Sequence, residues 1–234
     1  MGSMDFLPSV EQAGPPVTQE PLAWYDVWVE VLTRPSRESF RRILADPTAG
    51  PARAFAWVAA VGLIVGLVQV GLAGYLGISP LSELANGGLA TGAICFGIAA
   101  PLGPVIGLAL SAAILHGIAR LLKGRGSFRD MAYCLGAVQA PVSAIAALTW
   151  LVSLAASGGG ESLASGEFQP VLTLCLAPFS LAILVYAIVL EALAVSAVEK
   201  FGAGKAVLVL LIPVIIGILL GACLAGAITA SGFG

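Results

Sequence analysis

AFAWVAAVGLIVGLVQVGLAGYLGISPLS, residues 54–82, contains no Asp, Glu, Lys or Arg. A helix crossing an apolar slab of about 30 Å takes roughly 20 residues, so this stretch is long enough to span a membrane. Four more charge-free stretches follow, at 84–119, 131–160, 168–190 and 206–234. The stretch at 168–190 extends to Glu199 if Glu191 is allowed inside it. Five transmembrane helices are therefore expected, near 53–78, 92–122, 130–157, 169–198 and 206–230. The fold class is all-α, a polytopic bundle of five spans behind short amphipathic interfacial helices. The organisation expected is a disordered tail over 1–21, interfacial helices over 22–47 and a membrane domain over 52–234. Met1-Gly2-Ser3 reads as a cloning remnant ahead of Met4. The polar run of about 50 residues before the first span does not resemble the short basic start of a secretory signal.

Composition agrees. Of 234 residues, 10% are charged and 59% are apolar, and the net charge is −2. A soluble domain carries about 25% charged residues, so this chain lacks the side chains to cover a water-facing surface. No basic excess exists for binding nucleic-acid phosphates. The classes excluded are soluble enzymes, disordered proteins and nucleic-acid binders.

The few charges report orientation. Under the five-span scheme all 11 Lys and Arg fall on one side. Arg34, Arg37, Arg41, Arg42 and Arg53 precede span one, Arg120, Lys123, Arg125 and Arg129 surround the loop between spans two and three, and Lys200 and Lys205 flank the loop between four and five. The opposite loops hold Glu83, Glu161 and Glu167 and no base. The positive-inside rule then puts the N-terminus in the cytoplasm and the C-terminus outside, in a cell membrane.

In the arm, Leu22, Trp24, Tyr25, Trp28, Val31 and Leu32 give a short apolar helix ending near Thr33. Thr33 is the expected cap of a second helix through Phe40, Ile43 and Leu44, with Arg37, Arg41 and Arg42 on its other face and Asp46-Pro47 as its stop. Aromatics opposite arginines suit the headgroup layer, or else anchor the arm on its own bundle.

Inside the spans, small-xxx-small pairs at Gly62/Gly66, Gly103/Gly107 and Gly217/Gly221 favour close helix packing or self-association. Pro101, Pro104, Pro141, Pro178 and Pro213 interrupt helix hydrogen bonding and open the way to a cavity. Cys95, Cys134, Cys175 and Cys223 have no metal-ligand spacing and read as packing residues. Glu191 is the one carboxylate well within a span, and an ionisable group there is a functional hypothesis by default. Counted back from Lys200 and Lys123, Glu191 and His116 lie at similar depth, and Arg120 shares the face of His116. Glu191 is therefore expected to meet His116 or Arg120, as a polar clamp or a protonation switch. No catalytic, cofactor or metal motif is found, so no enzyme and no cofactor are expected.

Three segments resemble the Yip (Ypt-interacting protein) domain family, in its prokaryotic branch. LTRPSRESFRRIL (32–44) is similar to its leading segment. ILHGIARLLKGRGSFRDMAYCLGAVQAP (114–141) resembles its second span, short basic loop and third span, and VEKFGAGKAVLVLLIP (198–213) its last cytoplasmic loop. The resemblance covers roughly 24–230 and implies five spans and a cytoplasmic N-terminus. Eukaryotic relatives act in vesicle traffic, associate with prenylated Rab-type GTPases and with one another, and some shape membranes. No segment here reads as a GTPase-binding site, so that partner is not carried over. The expected function is a membrane scaffold or adaptor. Its cytoplasmic face of Arg37, Arg41, Arg42, Lys123, Arg125, Arg129, Lys200 and Lys205 would meet lipid headgroups or a protein partner. The alternatives are a transporter or channel built on Glu191 and His116, and a lipid-binding or lipid-moving protein with a greasy groove.

Overall fold

A computed structural model describes residues 20–76, 89–156 and 169–230. The described chain is helical throughout. α1 is Trp24–Thr33, α2 Arg37–Leu44, α3 Pro51–Leu76, α4 Leu89–Leu121, α5 Phe128–Ala156, α6 Gln169–Val198 and α7 Ala203–Ala230. The tail at 4–19 and the loops with Glu83, Glu161 and Glu167 lie outside the described residues.

The five long helices follow the charge-free stretches. Pro51–Gln69, Ala99–Leu121, Phe128–Val152 and Leu176–Val198 are each long and apolar enough to cross a membrane. Ala203–Gly217 is a shorter apolar stretch, and its helix α7 runs on for 28 residues in all, about 42 Å at 1.5 Å per residue. Pro101, Pro104, Pro141, Pro178 and Pro213 all sit within helices. Large apolar side chains such as Ile64, Leu67, Ile106, Leu184 and Ile215 point outward. An apolar outer surface of this kind belongs in lipid, not water.

α5 is the centre of the bundle. It packs on α3, α4 and α6 and also carries α1. Met131 through Val138 are buried without interruption, as a helix surrounded by other helices requires. Gly62 and Gly66 of α3 face α4 closely: a Cβ on Gly66 would overlap the Ala100 methyl, and one on Gly62 would lie 3.0 Å from the Ala100 carbonyl oxygen. Gly103, Gly107 and Gly217 have nothing within 4 Å. Of the two predicted small-residue pairs that are described at both positions, the first mediates a close contact and the second does not. Gly221 lies where side chains are not described.

The arm packs on the bundle, α1 against α5 and α2 against α6. Val27, Val31, Phe40 and Ile43 are fully buried, each burial stabilising the docking by about 2 kcal/mol. The Tyr186 hydroxyl of α6 donates to the Leu32 carbonyl, a last-turn acceptor with no partner in its own helix. Trp24, Tyr25 and Val29 remain exposed.

The α2 cap differs from the sequence expectation. Ser36, not Thr33, is the N-cap, its hydroxyl oxygen accepting from the Ser39 N–H at 3.1 Å. Thr33 still belongs to the last turn of α1, where its hydroxyl donates back to the Val29 carbonyl at 2.7 Å. A hydroxyl committed to its own helix cannot cap the next one.

Candidate functional site

Where the loop between α4 and α5 passes the end of α6, one carboxylate ties three segments together. Glu199 follows α6 directly, and its side chain is wholly buried. Its Oε1 lies 2.9 Å from His116 Nδ1 of α4, and its Oε2 accepts the Gly126 N–H at 2.8 Å. The Arg120 Nε donates to His116 Nε2 at 3.4 Å.

Local backbone builds this clasp. Lys123 and Lys200 both adopt left-handed conformations, with φ of 65° and 58°, which end α4 and α6 abruptly. The Gly124 N–H bonds the Ala119 carbonyl at 2.8 Å, turning the chain back over α6. Gly124-Arg125-Gly126 then wraps the carboxylate. A Cβ on Gly124 would run into Glu199 Oε2, and one on Gly126 would lie 2.8 Å from the Val198 carbonyl oxygen. Only glycine fits at both positions.

The predicted partner of His116 is therefore corrected. His116 and Arg120 do come together, but with Glu199 rather than Glu191. Glu191 makes no hydrogen bond or ion pair with any described residue. Depth counting treated Lys123 and Lys200 as level, but His116 lies inside α4 whereas Glu199 lies one residue beyond α6. α4 thus projects nearly two turns further than α6, and Glu191 sits about two turns too deep. Adjacency to Lys200 made Glu199 look like an ordinary charge at a span end. The signal that was available is the Gly-x-Gly loop, whose bare backbone marks a close approach.

A second carboxylate anchors the arm. Asp46 is wholly buried, and Arg53 donates to it at 2.9 Å. Its other oxygen accepts from the Thr48 N–H and hydroxyl, both at 2.8 Å. Arg53 also donates to Thr48 and to the Leu22 carbonyl, and stacks over Trp57 with its carbon 4.9 Å from the ring centroid. Burial alone pushes the Asp46 carboxyl up, but the Thr48 N–H and hydroxyl and the Arg53 guanidinium outweigh it and hold the group below its usual range. Asp-Pro-Thr is a recognisable Asx-turn sequence, although only the Asp-Pro stop was read from it.

The clasp and the anchor set out the basic residues. Arg41, Arg42, Lys123, Arg125, Arg129, Lys200 and Lys205 are exposed, and Arg37 is half-buried. Arg42 and Arg34 pair with Glu30 at 3.8 and 4.0 Å, and Arg41 with Glu38 at 3.8 Å. Lys123, Arg125, Arg129, Lys200 and Lys205 have no ion pair with any described residue, and Lys205 lies over the Phe201 ring at 5.7 Å. His/Cys/Asp/Glu groups that could hold a metal ion are absent among the described residues. Cys134 is buried as a free thiol. The side chains of the other three cysteines are not described.

The family model described as "Yip1 domain" matches residues 29–224. The chain belongs to the Yip1 domain family. The matched residues run from inside α1 into α7 and so take in the Glu199 clasp, the Asp46 anchor and every base named above. As a Yip1-domain chain it is a multi-pass membrane protein. Neither the curated proteins nor the solved structures contain a match to it.

Proposed function

We propose that this Yip1-domain protein is an integral membrane scaffold whose basic face lies on the cytoplasmic side of a cell membrane and engages anionic lipid headgroups. One observation carries it: five bases, Lys123, Arg125 and Lys200 on two loops that Glu199 locks together and Arg129 and Lys205 in the first turns of the helices that follow them, have no ion pair with any described residue. A base near an anionic surface contributes about 1 kcal/mol, so the five together favour an anionic over a neutral surface by several. A locked platform gains that energy without ordering flexible loops first. The arrangement does no chemistry; it concentrates charge at one level of the molecule.

A transport pathway built on Glu191 and His116 loses its support, since His116 is engaged at the rim by Glu199 and the two proposed members of the pathway are apart. An acidic protein surface is the other ligand such a face accepts. Nanodiscs of neutral lipid carrying the protein would bind anionic vesicles but not neutral ones, and the triple reversal Arg125→Glu, Arg129→Glu, Lys205→Glu would abolish this. Equal binding by the reversed protein ends the proposal. Loss of a soluble acidic partner with no change in vesicle binding would assign the face to protein instead.

A further inference from the structure

All four tryptophans of the chain, Trp24, Trp28, Trp57 and Trp150, line a single groove of about 760 Å³ between α1, α3 and α5. Its walls are otherwise apolar, with Arg53 at the arm end and Gln69 at the far end. Those two residues are separated by about 24 Å along α3 at 1.5 Å per residue. We propose that this groove holds one phospholipid, with the phosphate on Arg53 and an acyl chain lying along Val61, Val65, Ala144 and Leu148. The site is distinct from the basic face, and neither proposal depends on the other.

The size suits a bound molecule, since ligand sites occupy roughly 300–1,000 Å³. The long apolar walls with polar groups gathered at one end match an amphiphile and not a compact polar solute. Charge points the same way. Asp46 is wholly buried behind Arg53, whose side chain remains 20% exposed, so the charge presented at the mouth is positive. A guanidinium carries five N–H donors. Three are directed at Asp46, Thr48 and Leu22, and two are left for an anion. Fixed by those three bonds and stacked on Trp57, the guanidinium is already oriented, and a phosphate gains bidentate geometry without reordering it. Trp28 lines the groove with its ring, and its indole nitrogen is buried away from it. The ring series Trp24–Trp28–Trp57, at centroid separations of 4.9 and 6.2 Å, forms a wall at the level where such rings meet headgroups.

The full-length protein extracted in mild detergent and examined by native mass spectrometry is expected to retain one phospholipid per chain. Ala144→Phe and Ala147→Phe fill the groove from α5 without touching Arg53 and should lower the retained fraction at least tenfold. Arg53→Gln should lower it too, but Arg53 also anchors the arm, so the alanine variants decide. A second measurement needs no variant. In nanodiscs containing dibrominated phosphatidylglycerol at low mole fraction, tryptophan fluorescence should be quenched beyond proportion to that fraction, because all four reporters line the site. An unlipidated wild type, undiminished retention in folded Ala144→Phe and Ala147→Phe, or quenching in simple proportion to mole fraction would overturn the proposal. Reversal of Arg125 and Lys205 should leave both readouts unchanged, which separates this site from the basic face.

Discussion

Glu199 is a fully buried carboxylate whose two oxygens serve two segments far apart in sequence, His116 on α4 and Gly126 in the next loop. Removing it leaves a buried N–H and an imidazole without their acceptor, and groups left unsatisfied cost about 1–3 kcal/mol each. Glu199→Ala should therefore lower the unfolding midpoint in detergent clearly more than Glu191→Ala, whose side chain has no partner among the described residues. Equal shifts would contradict the clasp. Gly126→Ala should be as harmful as Glu199→Ala, since its Cβ meets the Val198 backbone, whereas Gly202→Ala, with open space around it, should be silent. The i, i+4 spacing of His116 and Arg120 and the glycines at 124 and 126 are legible in the sequence, but the acid they serve is not. Glu191 stands out because carboxylates are rare inside a span, while the acid that is used sits beside Lys200, where charges are common.

Asp46 gives a pH prediction. Its carboxyl is held below the usual range in the folded protein, so it contributes stability above the unfolded value, near 3.9, and loses it as pH falls through the folded value. Docking of the arm, followed by protease protection of residues 22–46, should weaken on acidification below the ordinary carboxylate range. Asp46→Asn should remove that dependence and start from a lower stability. A wild-type acid response identical to that of Asp46→Asn would exclude Asp46 as its source.

Among the helices, the long ones were legible because lipid imposes a length and a composition on any span. The five long helices lie over the five charge-free stretches. Less was legible where choices were local. From the sequence the α2 cap falls at Thr33, and the way α1 ends, with Thr33 in its last turn, puts it at Ser36 instead. Ser36→Ala should cost about 1 kcal/mol and Thr33→Ala less, measurable as a shift in thermal unfolding. The glycine pairs looked alike in sequence, yet they differ in space. Gly66→Val should destabilise by about 1–3 kcal/mol through overpacking against Ala100, while Gly103→Val and Gly107→Val, which face open space, should be tolerated. A tolerated Gly66→Val would contradict the α3–α4 contact.

Over the molecule as a whole, charge segregation links sequence to architecture. The loop carrying Lys123 and Arg125, with Arg129 just after it, and the loop carrying Lys200, with Lys205 just after it, meet through Glu199, and a Cβ on Gly50, ahead of α3, would lie 3.8 Å from the Arg129 guanidinium. The bases that the five-span scheme assigned to one side thus gather at one end of the bundle. The groove was only partly foreseeable. Trp24 and Trp28 are spaced to share a helix face, but no local pattern connects them with Trp57 or Trp150. That connection needs α1 to fold back onto α5, a consequence of burying Val27 and Val31 that spacing alone does not reveal.

The central claim is that a basic platform held by Glu199 engages anionic headgroups. It is tested most directly by measuring, as a function of salt, the binding of protein-bearing neutral nanodiscs to phosphatidylserine vesicles, for the wild type and the Arg125→Glu, Arg129→Glu, Lys205→Glu variant. Each base is worth about 1 kcal/mol near such a surface, so the folded variant should bind more than 100-fold more weakly at low salt, with wild-type binding falling as salt rises. Binding by the variant equal to that of the wild type, or wild-type binding indifferent to salt and to vesicle charge, would contradict the account.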